Sequence, residues 1–239
     1  MICTQNTKPC GCGYDIQYNN TVGKDMGVIL YDYPTITSSK KSFTSYAIPG
    51  RQGELVSDDE SSSNITITCN FTILTEDVNV VIRNLRRWLT GTGELILSDS
   101  PYCYYEVLAV QLGDPERILN HYAKISAVFT CTPYEFEREG KKPRSNIDYN
   151  AYDLCKPTYQ IAGEGVCTLT VNGKAMTANI GQNLTIDSRK MLAYRADGTL
   201  MNTSVTGRYE DLWIPHGDCE ISITSGFTLQ IIPNWGYEA

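Results

Sequence analysis

The sequence predicts a mainly β protein of two domains: a β-sandwich-like domain with one α-helix, followed by a second antiparallel β-sandwich. Three observations predict it. A strictly alternating run at 64–73 reads as a half-buried strand, and one amphipathic stripe at 76–89 reads as a helix. After residue 141 the chain shows only short alternating runs separated by turn dipeptides. With 239 residues, 41% hydrophobic and 20% charged, there is material for two ordinary cores.

Residues 1–23 mix Cys, Gly, Asn and Thr without periodicity and read as an irregular lead. Cys3, Cys10 and Cys12 lie close together there, but zinc sites normally present C-x₂₋₄-C pairs and a fourth ligand, so no metal and no cofactor is expected. The nine cysteines form no CxxC pair and no regular framework, which favours reduced, mostly buried thiols. Neither a secretion signal nor an apolar run of about 18 residues is visible, and no membrane partner is expected.

The first full domain is expected over 24–140. In its alternating strand Ile65, Ile67, Cys69, Phe71 and Ile73 share one face. Ahead of it, Glu54, Asp58, Asp59 and the serines after them read as a long exposed excursion that buries nothing. The helix is expected from Glu76 to Leu89, with Thr75 as N-cap and Trp88 closing an apolar stripe that begins at Val78. Trp88 is expected to anchor that helix on the sheet. Arg83, Arg86 and Arg87 lie off the stripe. They can serve helix stability at the negative end of the macrodipole, or ion pairs in an interface. Aromatic and β-branched runs at 94–97, 102–111 and 123–131 read as further strands, and the charged, proline-containing run at 135–144 as a boundary.

The second domain is expected over 141–239 as short strands. Asn172-Gly173 marks a tight hairpin, and Ile221, Ile223, Phe227, Leu229 and Ile231 supply one-sided alternation. Trp213 and Trp235 lie in this half. They can be core residues or platforms on which a sugar stacks.

Little chemistry is available. His121 and His216 are the two histidines, and His216 and Cys219 sit in one turn, where alternation sends neighbouring side chains to different faces. No P-loop, GxGxxG or HExxH occurs, and the clustered carboxylates show no separation suited to glycoside hydrolysis. A net charge of −7 without a basic run gives no electrostatic grip on phosphate. A structural or binding protein, not an enzyme, is the expectation.

Specific residues carry a resemblance. Tyr46-Ala-Ile-Pro-Gly-Arg-Gln-Gly-Glu-Leu55, the alternating strand, the helix ending Arg-Arg-Trp-Leu-Thr-Gly91 and Gly93-Glu-Leu-Ile-Leu-Ser-Asp99 resemble, in that order, the N-terminal domain of the distal tail proteins of long-tailed bacteriophages. Leu169-Thr-Val-Asn-Gly173, Gly181-Gln-Asn-Leu-Thr-Ile-Asp187, Gly207-Arg-Tyr-Glu-Asp-Leu-Trp-Ile-Pro-His-Gly217 and Ile231-Ile-Pro-Asn-Trp235 are similar to the galectin-like β-sandwich that follows in that family. The resemblance implies a homohexameric ring at the virion tail tip, assembled in the host cytoplasm. Such a ring joins the tail tube protein to the tail-tip hub protein and, in many relatives, docks receptor-binding or side-fibre proteins. DNA passes through its channel without specific binding. On that reading Arg83, Arg86, Arg87, Glu54, Asp58 and Asp59 are the candidate interface residues. The alternative is a carbohydrate-binding module of the host-recognition apparatus, using Trp213 or Trp235.

Overall fold

The structure, a computed structural model, describes residues 14–50 and 52–239, and the side chains at 56 and 58–61 lie outside the description. The Cys3, Cys10 and Cys12 lead falls outside the described residues. Contacts divide the chain into two compact units, one ending at Glu135 and reclaiming Glu238–Ala239, the other spanning Phe136–Tyr237.

Unit 1 contains strands β1 (Ile16–Tyr18), β2 (Thr21–Val22), β3 (Val28–Leu30), β4 (Thr35–Ile36), β5 (Lys41–Ala47), β6 (Glu54–Ser62) and β7 (Ile65–Leu74). Helix α1 (Val78–Trp88) follows, then β8 (Gly93–Leu97), β9 (Cys103–Leu112), β10 (Glu116–Leu119) and β11 (Tyr122–Glu137). The main sheet runs in the order β2-β1-β8-β9-β11-β7-β3, with β4 also on β7 and β10 on β11. Strand β7 lies between β11 on one side and β3 and β4 on the other. The residues Ile65, Ile67, Cys69, Phe71 and Ile73 are fully buried, and β11 answers them across the ladder with Cys131, Phe129, Ala127, Ile125 and Ala123. Period-two burial on both strands of a pair is what a sheet with one covered face requires.

Helix α1 leaves β7 and returns as β8, so it crosses the sheet over the two strands that separate them. It buries Val78, Ile82 and Leu85, with Leu89 at its C-cap. Its start corrects the sequence expectation. Thr75 still belongs to the β7–β11 ladder, its N–H donating to His121 O at 3.1 Å, and the helix begins two residues later. The cap is Asp77, whose carboxylate accepts from the backbone N–H of Asn79 (3.1 Å) and Val80 (3.2 Å). Trp88 packs against the sheet as expected, though not as its most buried anchor. It is half-buried and leans on β1, with its indole N–H donating to Tyr18 O at 3.0 Å and its ring 6.5 Å from that of Tyr18 in an edge-on arrangement. The fully buried anchors of the helix are Val78 and Leu85.

Unit 2 contains β12 (Tyr149–Asn150), β13 (Thr158–Val171), β14 (Lys174–Asp187), β15 (Leu192–Tyr194), β16 (Val205–Thr206), β17 (Gly217–Asp218), β18 (Ile221–Ile223) and β19 (Thr228–Ile232). The chain closes with β20 (Gly236–Glu238). The expected short strands at 158–187 are instead two 14-residue strands, β13 and β14, paired without interruption from Thr158↔Asp187 to Val171↔Lys174. They turn at Asn172 and Gly173, whose φ angles of 49° and 79° are those of the two-residue turn that matches strand twist. Gly163 lets β13 continue where a breaker would be expected, because a Cβ there would lie 2.3 Å from the Phe227 ring. Strands β18 and β19 share the other side of β13, and β15 and β16 share the outer side of β14. Tyr159 lies at the core centre, fully buried, with its hydroxyl donating to Leu212 O at 2.7 Å.

Candidate assembly surface

The stretch expected as an exposed excursion is half of a β-hairpin, which corrects the sequence reading. Strands β5 and β6 form a separate two-stranded sheet that pairs Phe43 with Asp58, Tyr46 with Leu55 and Ala47 with Glu54. The sequence missed it because β5 is exposed at all but one position and no period appears among the serines and carboxylates of β6. At about 3.3 Å per residue, nine residues of strand make an arm of about 30 Å.

The arm exposes apolar side chains that a soluble loop does not need. Phe43 is 59% exposed, Tyr46 55%, Leu55 47% and Ile48 41%. Tyr46 and Leu55 are cross-strand partners on one face of the ribbon and Phe43, three residues before Tyr46, lies on the other, so both faces carry exposed apolar surface of the kind that marks a contact. The base of the arm is fixed polar contact by polar contact. Lys40 and Ser63 exchange two bonds, Ser63 N to Lys40 O at 2.9 Å and Lys40 N to Ser63 Oγ at 3.0 Å. Ser39 N donates to Ala239 O at 2.9 Å, Ser62 Oγ donates to the Glu238 carboxylate, and Lys41 Nζ lies 3.8 Å from Glu238 Oε2. Ala239 is in turn held by its N–H on Pro133 O at 3.0 Å.

Of the interface candidates, Glu54 is exposed at the tip-side end of β6, and Asp58 and Asp59 lie farther along the same strand. Arg83, Arg86 and Arg87 are all exposed on α1. Arg83 folds back on its own helix, with Nε donating to Asn79 O at 3.2 Å, while Arg86 and Arg87 occupy the last turn and pair with no carboxylate among the described residues. The two groups sit on different elements, and no described contact joins them.

Unit 2 places its tryptophans in the middle ground between core and surface. Trp213 is half-buried, donates its indole N–H to Ser188 O at 3.2 Å, and has Lys156 Nζ 4.4 Å from its ring centroid. Trp235 is stacked on Tyr152 at 5.2 Å and carries the Arg144 guanidinium at 4.4 Å. Both rings thus already carry cationic partners.

The remaining chemistry is dispersed. Cys219 is buried, and burial pushes its thiol up, whereas His216 is exposed with Nδ1 3.2 Å from Tyr152 O. All six described cysteines are free thiols. Desolvation pushes Cys69 and Cys131 up to about 12 and Cys155 up to about 11, so these three stay protonated and unreactive at neutral pH. Among the described residues no three His, Cys, Asp or Glu side chains gather to hold a metal ion.

No protein-family model and no curated protein matches this chain. A solved structure does: the crystal structure of the SPP1 Dit protein, described as a paradigm of the hub adsorption apparatus in phages infecting Gram-positive bacteria. The likeness has a TM-score of 0.63 at 12% sequence identity and covers 91% of this chain and 97% of that one. The mainly β fold with a single crossing helix, arm and second β unit is therefore, over nine-tenths of its length, the Dit fold.

Proposed function

We propose that the protein is a structural component of a phage tail tip, a distal tail protein that closes into a homohexameric ring between the tail tube and the hub. The observation that supports this reading is the arm: a ribbon with exposed Phe43, Tyr46 and Leu55, on a fold shared over 91% of the chain with a hub adsorption protein. An isolated two-stranded hairpin is marginal in water, so a ribbon of this length is best explained by a second surface that covers it. In a cyclic assembly that surface belongs to the next copy, and each arm both gives and receives one contact.

Glu54, Asp58 and Asp59 on the arm and Arg86 and Arg87 on the helix supply opposite charges for such a contact. On this reading the acidic first half, with 17 acidic against 11 basic side chains over residues 1–140, keeps DNA from adhering in the channel. The ring acts as an adaptor for the tail tube protein, the hub protein and peripheral receptor-binding parts, with no reaction of its own.

The test is native mass spectrometry of the full chain, alone and co-expressed with the tube and hub proteins of the same particle, followed by cryo-EM class averages. Six copies in a ring are expected. A protein that stays monomeric at every concentration and joins neither neighbour would overturn the reading.

A further inference from the structure

The arm joins the body of unit 1 through a stretch of ladder that is not regular. Lys41 faces Ser62, and the next registered pair is Phe43 with Asp58, so residues 59–61 of β6 stand against Ser42 alone on β5. Extra residues on one strand bend a ribbon and interrupt its pairing. Beyond that bulge the pairs run without interruption from Phe43↔Asp58 to Ala47↔Glu54, and among the described residues no third strand joins them. A two-stranded ribbon is marginal in water, so its direction depends on how firmly the pair before the bulge is held.

Glu238 holds that pair. Its carboxylate accepts from Ser62 Oγ through Oε1 and lies 3.8 Å from Lys41 Nζ through Oε2, so one side chain reaches both strands of the arm at the last pair before the bulge. The segment that carries this clamp is itself fastened. Strand β20 pairs with β11, Ala239 N donates to Pro133 O at 3.0 Å, and Ala239 packs against the core of unit 1. The side chains of Glu238 and Lys41 stay 30% and 55% exposed, so their ion pair alone contributes little. The hydroxyl bond to a carboxylate is charge-assisted and contributes more. Because it ties the hairpin to a strand outside it, it restrains a swing that cross-strand bonds within the hairpin leave free.

We propose that Glu238 is the positioning residue of the arm: by clamping Lys41 and Ser62 it sets the direction in which Tyr46 and Leu55 on one face, and Phe43 on the other, are offered to a second copy. The identity of what the arm meets rests on the ring reading, and the order of the arm rests on the clamp alone. An arm that swings about the bulge still carries its apolar side chains. It loses that freedom when the ring closes, and the lost entropy opposes assembly at every contact of the ring. Cutting the clamp changes no side chain of the exposed patch, so what it alters is the direction of the arm and not its contact surface.

The test compares the full chain with Glu238→Ala, which removes both contacts, and with Glu238→Gln, which keeps an acceptor for Ser62 Oγ and loses the charge. Backbone hydrogen exchange is read on chains diluted until native mass spectrometry finds monomers, and assembly is read beside it as the concentration at which half the protein is in rings. In Glu238→Ala the amides of 43–47 and 54–58 should exchange about fivefold faster or more, while those of the β7–β11 ladder stay within about twofold of wild type. Half-assembly should need about tenfold more protein. Glu238→Gln should lie between wild type and Glu238→Ala in both readouts, and Ser62→Ala added to Glu238→Ala should change neither further. The clamp is overturned if the arm amides of Glu238→Ala exchange as in wild type, whatever the ring does. Its positioning role is overturned if the arm loosens and the ring still forms at the wild-type concentration. A wild-type chain that never assembles overturns the ring reading and with it the role of Glu238 in assembly, while the exchange rates still decide the clamp.

Discussion

Two antiparallel ladders of unit 1 bury their side chains in opposite ways. The β7–β11 ladder pairs ten residues and hides every second side chain in the core, whereas the β5–β6 ladder exposes Phe43, Tyr46 and Leu55 to solvent. The first is stabilised by apolar area removed from water, and the second by cross-strand bonds and the polar contacts at its base. Regular hydrogen bonding alone does not distinguish them. The difference teaches that one ladder is needed for the subunit to exist, and the other has a surplus of apolar surface that the subunit does not use.

The largest expected effect comes from breaking the first ladder. Phe71→Ala removes a fully buried ring from the centre of β7 and should cost about 3–5 kcal/mol in unfolding free energy, measured by denaturant titration. Trp88→Ala should cost less, about 2–3 kcal/mol, because the ring is half-buried and contributes one hydrogen bond, to Tyr18 O. If Trp88→Ala proves the more severe of the two, the helix and not the central strand organises the core.

Alkaline pH probes the same ladder more gently. Cys69 and Cys131 face the core from its two strands, and in the unfolded chain their thiols would ionise near their ordinary range of about 8.5. The folded protein keeps those protons up to about 12. With a raised folded value, the unfolded chain loses protons first, so stability is complete below about pH 8.5 and falls as pH rises toward 12. Thermal melts from pH 7 to 10.5 should show a flat region and then a decline. A melting temperature unchanged to pH 10.5 would mean that the thiols are not desolvated.

The smallest effect on the subunit should come from the arm. Phe43→Ser with Leu55→Ser should stay within about 0.5 kcal/mol of wild type, since both side chains are already in water. The same pair should abolish the ring, read by native mass spectrometry. Unchanged assembly would remove the arm from the interface and leave Arg86 and Arg87 as the side chains to test next.

The contrast also explains what could be read from the residues. Strand β7 is legible because one of its faces is buried, which imposes Ile65, Ile67, Cys69, Phe71 and Ile73 at period two. The stripe of α1 is legible for the same reason, although Asp77 and Thr75 offer equivalent capping oxygens and only the ladder bond of Thr75 decides between them. Strand β6 has no apolar period, so its sequence of serines and carboxylates looks like a loop. Gly163 and Gly165 sit within β13, where Gly163 leaves room for the Phe227 ring. The candidate interface charges were found by type, not by partner, because a contact between copies leaves no period in one chain.

The return of Glu238 and Ala239 to unit 1 also governs timing during synthesis. The ribosome delivers β5 and β6 early, yet Ser39, Lys41 and Ser62 find their last partners only in these two residues, after all of unit 2 has emerged. A nascent chain therefore carries an arm whose root is held by the Lys40–Ser63 pair and still lacks its contacts to Glu238 and Ala239. On the ring reading, the direction of the arm is therefore set late, once the segment that follows unit 2 has reached its base.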